Sequence, residues 1–265
     1  MSIRVIYAFI CRYLFLYTRN WIRVIELIFW PLMELLVWGS LTTFLNTKAN
    51  GQVPQFIPWL IGGVIFWDIL FRAQQGVAIS FLEDVWTKNL HNIFVAPVRP
   101  IEYLTAGILF GILRTAVAVA VLIVLAALNF NFNVFQMKWS LIPYFGNLLL
   151  FGWSLGMISS ALILRFGQAA ESLAWAIPFL IQPAAAVFYP LSTLPEWAQM
   201  IGNCLPCTYV FEGMRSVLDH NPMDWGQVGT SFILNLVWLA AAGGLYAWVL
   251  ESGRRRGLLT RVTSH

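Results

Sequence analysis

The sequence predicts an all-α membrane protein: six transmembrane helices preceded by an N-terminal amphipathic interfacial helix. Three observations lead there. The 265 residues are 59% apolar and only 11% charged, against about 25% charged in a soluble domain, so most of the surface must face lipid. The apolar runs, residues 115–128 for example, are continuous, whereas membrane barrel strands alternate apolar and polar residues. At about 20 residues per span plus connections, the length holds about six helices.

The elements follow in order, within one transmembrane domain over 1–265. Residues 1–23 mix Arg4, Arg12, Arg19 and Arg23 with Tyr7, Phe9, Tyr13, Phe15, Tyr17 and Trp21, a composition that suits a helix in the headgroup layer. Arg12 interrupts any signal-like apolar core and no small-residue cleavage site follows, so no cleaved leader is expected. The first span covers 24–45, and Glu26, Pro31 and Glu34 within it call for packing against protein. A polar Gly/Pro turn at 46–55 leads to the second span, 56–80. Residues 81–103 form a polar-edged island broken at Pro97 and Pro100. The third and fourth spans are 104–128 and 141–164, joined by a loop over 129–140. The short polar stretch 165–172 precedes the fifth span, 173–192. A long segment, 193–228, separates it from the sixth, 229–250.

Lys and Arg set the orientation. With the N-terminus inside, the inner segments carry Arg4, Arg12, Arg19, Arg23, Lys88, Arg99, Arg165, Arg254, Arg255, Arg256 and Arg261, and the outer ones only Lys48, Lys138 and Arg215. Both termini are therefore expected in the cytoplasm, and so is the 81–103 island. The net charge of +4 reads as this topology signal; no nucleic-acid partner is expected.

Chemistry for an enzyme is missing from the sequence. It contains no G-x-x-x-x-G-K-[ST], H-E-x-x-H or G-x-S-x-G, and His91, His220 and His265 are far apart. No catalytic or metal site is expected, and any energy must come from elsewhere. Cys11, Cys204 and Cys207 are too few for a disulfide framework. Buried thiols are the main expectation for the Cys204/Cys207 pair, with an outer-face disulfide as the alternative. Within the spans, Asp68 and Arg72 lie four apart on one helix face. Since an unpaired charge in lipid is costly, a structural ion pair is the plain reading and a transport path or proton relay the sharper one. Glu34 and Arg114 pose the same choice. Tryptophans near span ends (Trp21, Trp30, Trp59, Trp139, Trp197, Trp225, Trp248) fit an interfacial belt. Trp67, Trp153, Trp175 and Trp238 lie nearer span middles, where lipid-facing packing and a sugar path explain them almost equally.

Four features together resemble the permease subunit of the ABC type 2 exporter family, across essentially the whole chain: the basic N-terminal stretch, the 90–107 loop "LHNIFVAPVRPIEYLTAG", the six-span layout, and the outer segment "YPLSTLPEWAQMIGNCLPCTYVFEGMR" (189–215). In that segment Pro190, Leu194, Pro195, Leu205, Pro206, Tyr209, Glu212 and Arg215 fall in register. Ile108, where the family usually has lysine, and Gly213-Met214 are departures that leave the topology intact. The resemblance implies a pore of two permease copies, a homodimer or a pair of paralogues, above two ABC ATPase subunits that bind ATP and magnesium. It implies that residues 81–97 form a short cytoplasmic helix docked in an ATPase groove. Glu83, Asp84, Lys88 and His91 would make its polar contacts and Val85, Trp86, Leu90 and Phe94 its apolar ones. Pro97 would end it, and Pro100 would start the next helix. It also implies an outer re-entrant helical hairpin over 193–215, with Glu212 and Arg215 paired across one turn near the exit. The expected cargo is an amphipathic or lipid-linked molecule. An ion-coupled carrier using Asp68, Arg72 and Glu34 is the alternative, but residues 1–130 and 131–265 show no convincing repeat of the kind such carriers contain.

Overall fold

The computed structural model describes residues 2–48, 56–87, 92, 93, 96 and 98–255. Among these, nine α-helices follow one another: α1 Ile3–Thr18, α2 Trp21–Lys48, α3 Phe56–Trp86, α4 Pro100–Phe130, α5 Leu141–Phe166, α6 Glu171–Ile181, α7 Glu196–Asn203, α8 Pro206–Leu218 and α9 Trp225–Arg255. Short 3-10 turns at Val134–Ser140, Gly167–Ala170 and Leu191–Thr193 join some of them, and no strand is present among the described residues.

α3 is the axis of the bundle. From residue 60 to residue 84 every position but Phe71 is buried. α4 packs on one side of it and α5 on another. The α3–α4 crossing is a backbone-to-backbone contact: a Cβ placed on Gly76 would lie 2.8 Å from the Gly111 Cα, so glycine is what permits the approach. One apolar cluster fills one half, with Ile61, Ile65, Phe66, Leu148, Phe151, Phe211 and Met214 among its members. A second, including Val77, Phe81, Leu82, Ile163, Leu164 and Tyr246, fills the other half.

Among the described residues, four stretches are long and apolar enough to cross a membrane: Trp21–Leu45, Pro100–Phe130, Val134–Phe166 and Trp225–Gly253. They differ in position. The Val134–Phe166 window is 72% buried and the Trp21–Leu45 window 17%, so α5 is interior and α2 peripheral. The helices over the expected second and fifth spans differ from the sequence reading. α3 runs six residues past the expected end at 80, because nothing between 81 and 86 breaks a helix. α6 is a helix only to Ile181. The remaining residues up to 190 are apolar but turn back into the bundle, bounded by Pro183 and Pro190, and Ala185, Ala186 and Val187 there are fully buried. Ala186 adopts a left-handed φ of 54°. Gly63 makes room for this loop, since a Cβ there would sit 2.8 Å from the Val187 carbonyl oxygen.

Candidate functional site

Three polar sites stand out in an apolar molecule. The first joins α1 to the ends of α3 and α4. Ile6 and Tyr13 of α1 pack on Ala106 and Phe110 of α4. This brings the Arg12 guanidinium onto Asp84, which also accepts a 2.7 Å hydrogen bond from the Tyr103 hydroxyl. Beside it Arg23 Nη1 donates to Glu83 Oε1 at 2.6 Å, and Arg114 lies over the Tyr17 ring at 4.6 Å. The Ser2 backbone N–H donates to Glu102 Oε1 at 2.6 Å. Glu102 also accepts the Arg99 N–H and so caps α4, whose first residue is Pro100. Burial works against the charged Arg12 guanidinium, but the hydrogen bond and attraction of Asp84 outweigh it and raise its pKa. Burial pushes the Tyr13 hydroxyl up as well.

This arrangement corrects the expectation that Glu83 and Asp84 face a partner protein. Asp84 is 0% exposed and Glu83 6%. Two acidic residues at the end of a span looked like an outward polar edge, but α1 supplies a counter-ion to Asp84 through Arg12 and the first turn of α2 supplies one to Glu83 through Arg23. Trp86 does face outward, at 40% exposure, with its Nε1 donating to Glu171 Oε2 at 3.2 Å across to α6. Lys88, Leu90, His91, Phe94 and Pro97 lie outside the described residues, as does the side chain of Val85.

The second site lies between α2 and α3. Arg72 Nε donates to Asp68 Oδ2 at 2.6 Å, and its Nη2 donates to the Leu27 carbonyl at 2.8 Å. Both side chains are buried. The pair expected from the i,i+4 spacing is thus a three-way tie that also fixes α2. Glu34 is half-buried on α2, near enough to Asp68 and Arg72 to feel both charges. Arg114, the remaining intramembrane charge of the sequence reading, belongs to the first site and forms no ion pair among the described residues.

The third site holds the buried loop. Arg215 Nη2 donates to Glu212 Oε1 at 2.8 Å and its Nη1 to the Val187 carbonyl at 3.3 Å. The same Glu212 oxygen accepts the Leu191 N–H at 2.6 Å. One ion pair on α8 therefore clamps both ends of the 187–191 turn. Around it, Pro195 is the N-cap of α7, Pro206 opens α8, and the Tyr209 hydroxyl donates to the Asn203 carbonyl at 3.1 Å. Trp59 Nε1 donates to Asp219 at 2.9 Å, and Trp238 Nε1 donates to the Cys204 carbonyl at 3.0 Å. Cys204 is exposed, Cys207 is buried and both are free. Among the described residues no three His, Cys, Asp or Glu side chains gather as metal ligands.

Sequence reasoning did not single out Arg12, Arg23, Tyr103, Val187 or Leu191. The only signal for the two arginines was their place in a basic stretch, which does not name a partner 72 or 60 residues away.

Residues 15–250 match the family described as ABC-2 family transporter protein. The chain is 25% identical over 217 residues to ABC transporter G family member 20 of Dictyostelium discoideum, covering 76% of this chain and 28% of that protein. It is 24% identical over 164 residues to the inner membrane transport permease YadH of Escherichia coli K12, covering 60% of this chain and 62% of YadH. The matched regions are thus less than two thirds of the length of either relative.

Proposed function

This chain belongs to the ABC-2 family of transporter proteins, and from that premise we propose that it is the membrane permease of an ABC exporter. Two copies form the membrane unit, and two ABC ATPase subunits bind beneath them and hold ATP and magnesium. Each copy crosses the cytoplasmic (inner) membrane six times with both termini inside. α7 and α8 form a re-entrant pair at the outer face. The cargo is an amphipathic or lipid-linked molecule: a glycolipid or polysaccharide, a lipid or a drug.

One observation carries the reading. The segment expected to meet the ATPase joins α3, which carries Glu83 and Asp84 in its last turn, to α4, which carries Tyr103 in its first turn. With Arg12 of α1 and Arg23 of α2, those residues tie α1, α2, α3 and α4 together. A push delivered to this segment acts on all four helices at once. Buried hydrogen-bonded ion pairs resist separation, so the four move as a unit. Trp86 supplies an apolar contact on the accessible side and, through Glu171, a link to α6.

Co-purification with tagged candidate ATPases tests the proposal. A stable complex whose ATPase rate changes with Trp86→Ala or Phe94→Asp is expected. Transport that persists without ATP and collapses with the proton gradient would instead make the chain an ion-coupled carrier built on Asp68, Arg72 and Glu34.

A further inference from the structure

Arg114 is left over when the charges around it are paired. Arg12 holds Asp84, Arg23 holds Glu83 and Arg72 holds Asp68. Arg114 makes no ion pair or hydrogen bond among the described residues, and its Nε is shut inside the protein without an acceptor. Its guanidinium lies over the Tyr17 ring at 4.6 Å, and that of Arg23 lies over the same ring at 5.7 Å. The charges of Arg72 and Glu83 reach it as well, but each of those is already engaged. Three helices, α1, α2 and α4, thus gather two guanidiniums on one ring, while Glu83 is bonded to Arg23. A membrane arginine without a counter-charge is costly, so an anion is what this corner lacks.

The level of the corner selects the anion. Gly39 of α2 lies against the Phe130 ring at the end of α4. At 1.5 Å per residue, Trp21 lies about 27 Å back along α2 from that contact, and Arg114 about 24 Å back along α4. Both distances approach the ~30 Å thickness of the hydrocarbon core. Arg114 therefore sits level with the turn from α1 into α2, at the boundary between acyl chains and headgroups. Beside it on α4, Leu113 and Val117 are exposed, and so are Val124 and Leu128 farther along. An apolar track thus runs from the guanidinium into the bilayer. A dissolved anion gains nothing from that track. A phospholipid fits both parts, with its phosphate on the arginines and an acyl chain along α4. Arginine grips phosphate through paired N–H···O bonds, and basic pockets between membrane helices take anionic headgroups.

We propose that Arg114 and Arg23, set by the Tyr17 ring, bind the phosphate of an anionic phospholipid such as phosphatidylglycerol. The lipid bridges α1, α2 and α4 beside the ion pairs that join them to α3. The site itself needs only a membrane; that its leaflet is the cytoplasmic one rests on the topology of the proposed function.

The test uses the full chain, immobilised in an uncharged maltoside detergent without nucleotide or partner, and radiolabelled dioleoylphosphatidylglycerol in a scintillation-proximity binding assay. Saturable binding is expected. Arg114→Gln should weaken it about tenfold, as the loss of charged hydrogen bonds implies, and the exposed neighbour Arg19, changed to Gln, should leave it unaltered. Arg114→Lys keeps the charge but loses the fork, so binding should fall severalfold; this variant decides the matter if Arg114→Gln does not fold. Wild-type affinity in Arg114→Gln, or in Arg114→Lys, overturns the proposal. An equal loss in Arg19→Gln does so too, because it would show diffuse charge attraction. Displacement by dioleoylphosphatidylcholine as readily as by unlabelled phosphatidylglycerol would show a general lipid shell, and displacement by millimolar inorganic phosphate a site for a dissolved anion; either result also overturns it. A negative result here leaves ATPase co-purification untouched, so the two failures are distinguishable.

Discussion

Asp84→Asn is the substitution through which the α1–α3 tie is best examined. The side chain is 0% exposed, carries the charge opposite Arg12 and accepts from Tyr103. Asparagine keeps the shape and an acceptor for Tyr103 but leaves the guanidinium uncompensated. Breaking a fully buried pair costs about 3–5 kcal/mol. The Arg12 side chain is 29% exposed, and water recovers part of that, so a loss of about 2–3 kcal/mol is expected here. Tyr103→Phe removes a hydrogen bond to a charged group and should cost about 1.5–3 kcal/mol. The assay is reversible unfolding in mixed micelles, run as a double-mutant cycle with Arg12→Gln. A coupling of about 2 kcal/mol is expected, within the range seen for contacting residues. Single losses that add to within about 0.5 kcal/mol would show that Arg12 and Asp84 act independently, and the reasoning would fail. The arginine side of the pair is insensitive to neutral pH. Its folded pKa is raised above the ordinary arginine value by the hydrogen bond and charge of Asp84, so its contribution is fully present below the unfolded pKa and is lost only as pH rises through the folded pKa.

Gly76→Ala should destabilise the protein by about 1–3 kcal/mol, since its Cβ would press on the Gly111 backbone; Gly146→Ala, with nothing within 4 Å of the added carbon, is the control and should be neutral or slightly stabilising in the same unfolding assay. Glu212→Ala removes the acceptor of the Leu191 N–H and strands Arg215, which is 3% exposed; transport in reconstituted vesicles should fall while ATPase association is unchanged, and unchanged transport would remove the Glu212–Arg215 clamp from the mechanism.

What could be read from the sequence was what depends on local spacing. The apolar runs gave the helices, the i,i+4 spacing of Asp68 and Arg72 gave their pairing, and the i,i+3 spacing of Glu212 and Arg215 gave the clamp's ion pair. Contacts between distant segments stayed hidden. Glu83 and Asp84 look solvated until α1 and the start of α2, some 60 to 72 residues earlier, are folded across them. The 182–190 stretch reads as the end of a span because it is apolar, and contacts such as the Arg215 donation to Val187 and the Tyr189 hydroxyl's donation to the Pro183 carbonyl account for how a non-helical backbone lies buried there. Composition reports that a segment is buried, but not whether helical hydrogen bonds or a neighbouring guanidinium satisfy its carbonyls.

The central claim is that energy enters this permease from an ATPase through the segment between α3 and α4. Its most direct measurement is the ATPase rate of the co-purified complex in nanodiscs, wild type against Trp86→Ala. The account predicts a stable wild-type complex whose ATPase rate changes severalfold in the variant, while the permease itself remains folded. No complex with any candidate ATPase, or an identical rate in the variant and in Phe94→Asp, would contradict it.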